Sequence, residues 1–181
     1  MIAIRYFAKV YFADAAHFIY GAELGYGWSR KRIEVPSAYG RKRYNVLGAL
    51  DSNTHEVITV TNESYINSQS IIELLKKLRE KNGDKMVHVV LDNAAYQRNS
   101  VVEEASKKYD IKLNFLPSYS PNLNLIERLW KFVRSICLAN KYAPTFEEFK
   151  DSIDDCLSKT HTEHKGKLDT LLAHNFEVIG K

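Results

Sequence analysis

The sequence predicts an α/β domain in which a mixed sheet is covered by helices on both faces. Short β-forming segments dominate the first third of the chain, and helical and strand segments alternate afterwards. Residues 87–91 form the near-continuous apolar run that is typical of a buried strand. The 181 residues suffice for one domain with a substantial core, and no repeat or linker divides them. We therefore predict a single domain over residues 1–181.

The predicted strands are short segments of β-branched and aromatic residues bounded by turn formers. In chain order they cover residues 8–14, 26–30, 43–50, 56–61, 86–91 and 111–116. Pro36 and Gly40 indicate a turn between the second strand and the third. The strand over 86–91 is apolar at nearly every position, so we expect it to be buried on both faces.

The predicted helices carry apolar residues at spacings of three and four. Ser70 with Glu73, and Thr145 with Glu148, have the spacing of capping boxes at helix N-termini. Gly83 lies in an Asn-Gly-Asp sequence that ends the first helix. The helices are expected over residues 70–82, 99–109, 125–138, 145–157 and 168–173.

The basic residues are unevenly distributed. The net charge of +4 permits a polyanionic partner without requiring one. Two basic triplets flank one turn, and they consist of Arg30, Lys31, Arg32, Arg41, Lys42 and Arg43. Trp28, Tyr39 and Tyr44 lie beside them. Phosphate neutralisation by the cations and base stacking by the rings make nucleic-acid contact one hypothesis. A solvated hairpin rim is the alternative.

The sequence gives little support for a membrane protein, a secreted protein or a zinc-binding protein. No apolar run approaches the ~20 residues that a membrane-spanning helix needs, and the N-terminus lacks a secretion signal. We therefore expect a cytoplasmic protein without a membrane partner. Two buried free thiols are the favoured state of Cys137 and Cys156, and a disulfide between them is the alternative. His161 and His164 lie three apart, but no further ligand pair is spaced to complete a zinc site. We assign them to a solvated helix end.

Three acids have positions that suggest chemistry. Asp14 ends the first predicted strand, Asp92 follows the apolar strand, and Glu127 lies in the first turn of the helix after Pro121. Ligands gather at the carboxyl ends of strands in open α/β sheets, so the three side chains are expected to converge there. Taken singly, each has an ordinary interpretation, such as a turn residue or an intrahelical pair between Glu127 and Lys131.

Carboxylates in such a cluster suit phosphodiester chemistry. Breaking that bond requires charge stabilisation on a non-bridging oxygen, an activated nucleophile and support for the leaving oxygen. Two divalent cations about 3.5–4 Å apart supply all three. Mg²⁺ prefers a few carboxylates together with water and substrate phosphates, so three acids form a sufficient protein shell.

Longer motifs around these acids resemble a known family. Residues 91–94 read Leu-Asp-Asn-Ala, and residues 116–127 read Leu-Pro-Ser-Tyr-Ser-Pro-Asn-Leu-Asn-Leu-Ile-Glu, followed by Arg-Leu-Trp. They closely resemble the second and third catalytic motifs of mariner-like DDE transposases, best in the bacterial insertion-sequence branch. Thirty-four residues separate Asp92 from Glu127, which is typical of that group. Tyr-Phe-Ala-Asp14 resembles the motif of the first aspartate, and Trp28 with the nearby Arg-Lys-Arg resembles the next segment.

The resemblance implies an RNase H-like fold and two Mg²⁺ or Mn²⁺ ions held by Asp14, Asp92 and Glu127. It implies strand cleavage at transposon ends and transfer to a target, with double-stranded DNA as the partner. By motif position, Asn93 would orient the site. Lys131 and Arg134 would help to hold the DNA backbone. Family members usually work as dimers, so a homodimer is compatible with the resemblance.

Three departures from the family pattern leave two alternatives open. Ala15 replaces a frequent acid, Gln97 stands where a histidine is common, and the helix-turn-helix region that reads transposon ends is absent from residues 1–181. One alternative is an RNase H-like nuclease without strand transfer. The other is a catalytically silent remnant that acts as a DNA-binding or oligomerisation module.

Overall fold

The computed structural model describes residues 8–21, 30–31, 42–117 and 121–173. Within these ranges the strands are β1 (Ala8–Ile19), β2 (Arg43–Asp51), β3 (Val57–Asn62), β4 (Met86–Leu91) and β5 (Ile111–Phe115). The helices are α1 (Ser68–Asn82), α2 (Ser100–Lys108), α3 (Leu125–Phe132), α4 (Phe146–Ser158) and α5 (Lys165–Leu171). A 3-10 turn over Pro121–Leu123 precedes α3, and a π-helical segment over Val133–Leu138 continues it.

The five strands form one mixed sheet in the order β3-β2-β1-β4-β5. β2 pairs antiparallel with both β1 and β3, whereas β4 pairs parallel with both β1 and β5. β1 is therefore the central strand and the place where the pairing changes from antiparallel to parallel. The predicted mixed sheet is confirmed.

Helices cover both faces of the sheet, as predicted. Side chains alternate along β1, so that Tyr11 and Ala13 pack with α1 and α2, while Phe12 and Phe18 pack with α3, α4 and α5. Each face thus has its own apolar core. β4 is buried mainly toward α1 and α2, because His88 and Val90 on its other face are only half-buried. The expectation of burial on both faces holds for one face only.

The first strand is longer than predicted. β1 continues to Ile19 because β2 pairs with it antiparallel as far as Arg43. Asp14 therefore lies within the strand, not at its end. The predicted strand over residues 26–30 lies outside the described residues apart from Arg30, which is in a bend, and the predicted turn over 36–40 lies outside them entirely.

The helix caps agree with the predictions at α4 and differ at α1. Thr145 caps α4 and accepts a hydrogen bond from the Glu148 N–H, as predicted. The cap of α1 is Asn67, whose side chain accepts from the Ser70 N–H, so Ser70 is the third residue of the helix and not its cap. The first turn of α1 consists of polar residues, so the spacing of apolar residues does not indicate where the helix begins.

Cys137 and Cys156 form a disulfide, so the prediction of two free thiols is wrong. Cys137 lies in the π-helical segment and Cys156 in the last turns of α4, and both are buried. The two elements pack against each other, which brings the sulfur atoms together. In the part of the chain that the structure describes, no helix is both long enough and apolar enough to cross a membrane.

Candidate active site

The sheet places Asp14 and Asp92 side by side. The parallel pairing of β1 with β4 ends at Ala13 and Leu91, so Asp14 is the next residue of β1 and Asp92 is the first residue after β4. Beyond this point β1 continues beside β2 alone, while the chain leaves β4 for a loop. Asp14 lies on the face of β1 that packs against α3, because side chains alternate along the strand.

α3 brings Glu127 to the same place. Glu127 lies in the first turn of α3, whose apolar side packs on β1 and β2. The residue of β2 opposite Asp14 is Gly48, and a Cβ there would lie 2.7 Å from the ring of Trp130 and 3.1 Å from Ile126 Cδ1. The missing side chain therefore lets α3 lie close to the sheet beside Asp14.

The three acids form one cluster. A carboxylate oxygen from each of Asp14, Asp92 and Glu127 lies within 4.8 Å of the others, and all three residues are partly buried. Burial, reinforced by the negative charges of Glu127 and Asp92, raises the pKa of Asp14 from 3.8 to about 7. Oxygen ligands at these distances fit a hard divalent cation, which would offset the repulsion among the carboxylates.

Asn124 is the residue of the site that sequence reasoning missed. It is fully buried just before α3, and its Nδ2 donates to Asp92 Oδ1 at 3.0 Å and to the Ala13 carbonyl at 3.3 Å. Its own carbonyl accepts a hydrogen bond from the Glu127 N–H. Its side chain thus links β1 to Asp92, and its backbone carbonyl bonds the first turn of α3. The sequence shows that Asn124 lies three residues before Glu127, but it does not show that the side chain is buried.

Asn93 occupies a different position from the one expected of an orienting residue. It is exposed, and its Oδ1 accepts from Arg98 at 3.3 Å. Gln97 is fully buried; its Oε1 accepts from the Ala94 N–H and its Nε2 donates to the Tyr96 hydroxyl. Burial, and then the charge of Asp14, raise the pKa of Tyr96. Gln97 thus orders the loop after Asp92 instead of facing the acids.

Two further residues near Asp14 in sequence lie away from the cluster. Ala15 packs against the core formed with α1 and α2, on the opposite face of β1 from Asp14. An acid at that position would therefore not join the three carboxylates from this strand. His17 also points away from the Asp14 face, and its Nδ1 lies 2.6 Å from Asn45 Oδ1.

Most of the predicted DNA-binding residues that the structure describes are exposed. Arg30, Lys31, Lys42 and Arg43 are exposed, while Arg32 and Arg41 lie outside the described residues. Arg43 pairs with Ile19, five residues beyond Asp14 on β1, which corresponds to about 17 Å along the strand. Lys131 is exposed one turn after Glu127.

Arg134 has a structural task. Its Nη2 donates to the His17 carbonyl at 2.8 Å, and its guanidinium lies 4.8 Å from the centre of the Phe18 ring. These contacts attach the π-helical segment to β1. A DNA contact by Arg134 stays a prediction, and these contacts do not favour it.

A sequence model of the DDE superfamily endonucleases matches residues 9–150, which include all three acids. The chain belongs to this family. It is 26% identical over 137 residues to an insertion element IS630 39 kDa protein of Shigella sonnei, a match that covers 72% of this chain and 39% of that protein. The resemblance to transposases of the insertion-sequence branch agrees with both findings.

Solved structures of the Mos1 mariner transposase have the same RNase H-like fold. A paired-end complex with Mg is 15% identical and covers 91% of this chain and 52% of Mos1, with a TM-score of 0.64. A pre-cleavage Mos1 transpososome is 12% identical and covers 95% of this chain and 56% of Mos1, with a TM-score of 0.63. The chain thus spans about half the length of Mos1 and less than half of its IS630 relative.

Proposed function

We propose that this chain is the catalytic domain of a DDE transposase that cleaves phosphodiesters at transposon ends and transfers the strand to target DNA. The convergence of Asp14, Asp92 and Glu127 within 4.8 Å carries the proposal. Membership of the endonuclease family and the similarity to an insertion-element protein support it.

We further propose that the three carboxylates hold two Mg²⁺ or Mn²⁺ ions. When bound, such ions stabilise charge on the phosphate and activate water or a 3′-hydroxyl. Asp14 and Asp92 are held by adjacent strands, and Glu127 is held by α3 through its packing on Gly48. Asn124 acts as a positioning residue, because its hydrogen bond fixes the Asp92 carboxylate. Burial of the cluster limits competing water, which strengthens each electrostatic interaction.

The proposed DNA path runs from the acids along the carboxyl end of β1. Lys131 would contact the backbone beside Glu127, and the exposed Lys42 and Arg43 would contact phosphates farther along. The remaining members of the two basic triplets are proposed to extend this surface. The partner is double-stranded DNA in the cytoplasm, bound by a homodimer when two ends are paired.

Cleavage and strand transfer can be tested separately. One substrate is a labelled duplex carrying the terminal repeat next to the gene, and the other is the same duplex pre-cleaved at its 3′ end and mixed with a target plasmid. The full-length protein is expected to cleave the first and to join the second, in both cases only with Mg²⁺ or Mn²⁺. Asp92→Asn provides the matched inactive control.

The two assays also distinguish the alternatives. Cleavage without joining would favour a nuclease of the same fold. Neither activity, together with an Mn²⁺ binding heat that Asp92→Asn leaves unchanged, would favour a silent DNA-binding or oligomerisation module and would contradict the proposal.

A further inference from the structure

A second group of metal-ligating side chains lies away from the carboxylates. Sγ of Cys137, Sγ of Cys156 and a ring nitrogen of His164 all lie within 4.8 Å of one another. Both cysteines are buried and His164 is partly buried. The three residues come from three different elements, namely the π-helical segment, α4 and the residue that precedes α5.

His164 is held in place by its surroundings. Its N–H donates to the Lys159 carbonyl, and its own carbonyl accepts from the N–H groups of Lys167 and Leu168. Its ring packs edge-on against Phe132, with 5.3 Å between the ring centres. The hydrogen bonds hold the main chain of His164 in place, and the Phe132 ring packs against its imidazole beside the two sulfur atoms.

We propose that, in its reduced form, this cluster binds one Zn²⁺ through Cys137, Cys156 and His164. Two thiolates and an imidazole are the ligands that zinc prefers, and they exclude the hard Mg²⁺ that suits the carboxylates. Zinc–sulfur bonds of about 2.3 Å in a tetrahedral site place two sulfur atoms about 3.8 Å apart. Once the disulfide is reduced, a small movement of the two cysteine side chains brings their sulfur atoms to that distance. A water molecule would be the fourth zinc ligand.

The disulfide and the zinc site are alternative states of the same residues. A dithiol reductant transfers two electrons to the disulfide, which yields two cysteine thiols and leaves the reductant as its own disulfide. Zinc binding then releases the two thiol protons and requires the neutral imidazole. Reducing compartments favour the metal-bound state, and oxidising conditions favour the bonded state that the structure contains.

Either state would join the helices on one face of the sheet. Cys137 is ten residues after Glu127 on one continuous helical run, α3 followed by the π-helical segment. A zinc ion would connect this run to α4 and to the start of α5. The expected consequence for the reduced protein is a rise in melting temperature on zinc binding.

Cobalt substitution tests this site without interference from the carboxylates. The wild-type protein is reduced, freed of metal and titrated with Co²⁺ in excess Mg²⁺, while thiolate-to-cobalt absorption in the near ultraviolet is recorded. Reduced wild type is expected to develop this band at about one Co²⁺ per chain and to lose it when Zn²⁺ is added. Oxidised wild type is expected to show no band, and this comparison requires no variant.

Variants then test the three ligands. Cys156→Ser and His164→Asn are expected to lose the band and the zinc-dependent rise in melting temperature. His161→Asn is the matched control, because His161 is exposed in the same turn and is not part of the cluster. No band in the reduced wild type would overturn the proposal. A band of unchanged strength and affinity in His164→Asn would equally overturn the three-ligand site.

Discussion

Two aspartates on the central strand pair, Asp14 and Asp51, have opposite surroundings. Asp51, at the end of β2, accepts hydrogen bonds from Lys9 at 2.7 Å and from the N–H groups of Asn53 and Thr54 at 2.9 and 3.0 Å. Asp14, in the middle of β1, faces the carboxylates of Glu127 and Asp92 instead. Asp51 is almost inaccessible and Asp14 is partly buried, and only Asp51 has a cation beside it to compensate its charge.

The pKa values reflect this contrast. Burial would raise the pKa of Asp51, but Lys9 and the backbone donors outweigh it, so that the pKa is lowered from 3.8. Burial and like charges raise the pKa of Asp14 to about 7. A buried carboxylate with its own donors serves the fold, whereas one that faces other carboxylates requires a proton or a cation. The surroundings of Asp51 are those of a structural acid, and the surroundings of Asp14 agree with the proposed role in metal binding.

The largest expected effect is the loss of catalysis in Asp14→Asn. If a cation held there stabilises the transition state by several kcal/mol, cleavage should fall by about 1000-fold or more. The measurement is the rate of Mg²⁺-dependent cleavage of a terminal-repeat duplex. Asp51→Asn is the control, and its folded fraction should cleave at the wild-type rate. Equal losses in the two variants would contradict the distinction between the two acids.

The same substitution should stabilise the metal-free protein at neutral pH. Between pH 4 and 7 the folded chain keeps a proton on Asp14 that the unfolded chain has lost, so stability falls as pH rises through this window. The three-unit difference corresponds to at most about 4 kcal/mol at pH 7 and above. Urea unfolding in a chelator from pH 4 to 8 should show this loss in wild type and not in Asp14→Asn. Parallel pH profiles would argue against the raised pKa.

Asp51→Ala should reduce stability without affecting the proposed metal site. It leaves the Lys9 ammonium and two backbone N–H groups without their acceptor, at a cost of about 3 kcal/mol, which is moderated because Lys9 is partly exposed. The stabilisation from wild-type Asp51 is present above pH 3.8 and is lost as the pH falls through its lowered pKa. Urea unfolding and Mn²⁺ calorimetry measure the two properties separately. A weakened Mn²⁺ affinity would show that the two regions are coupled.

Asn124→Ala should weaken metal binding by about 10–100-fold, as is usual when a ligand loses its hydrogen-bond partner. Asn45→Ala is the matched control, since Asn45 is also fully buried. Asn45 lies near the start of β2 and donates to Asn62 and Ser64, not to one of the three acids. Both variants should lose stability, and only Asn124→Ala should lose Mn²⁺ affinity by calorimetry. Similar affinities in the two variants would leave Asn124 with a structural role alone.

The sequence predicted this site better than it predicted the surroundings of the site. Asp92 follows β4 and Glu127 lies in the first turn of α3, so local patterns located both acids. Asp14 was located by the β-forming residues before it, although the strand does not end there. The extension of β1 past Asp14 depends on pairing with β2, and the burial of Asn124 depends on the packing of α3, so neither has a local signal. The pairing of Cys137 with Cys156 likewise results from contact between two helices, which their separation of 19 residues does not indicate.

The smallest expected effect concerns Gly48, the glycine of β2 that lies opposite Asp14. The residue opposite Asp51 is Tyr11, which has a large side chain. A methyl group on Gly48 would lie 2.7 Å from Trp130 Cη2, and the buried indole has little freedom to move, so α3 must shift outward. Gly48→Ala should therefore cost about 1–2 kcal/mol of stability through overpacking.

The same shift would move Glu127 relative to the two aspartates, because α3 carries it. Cleavage should then fall more than the lost stability explains, and Mn²⁺ affinity should fall with it. Trp130→Phe in the Gly48→Ala background removes the ring atoms that clash. It should restore part of the stability and part of the Mn²⁺ affinity. If the double variant recovers stability but not metal affinity, the position of Glu127 does not depend on the fit of α3 against Gly48.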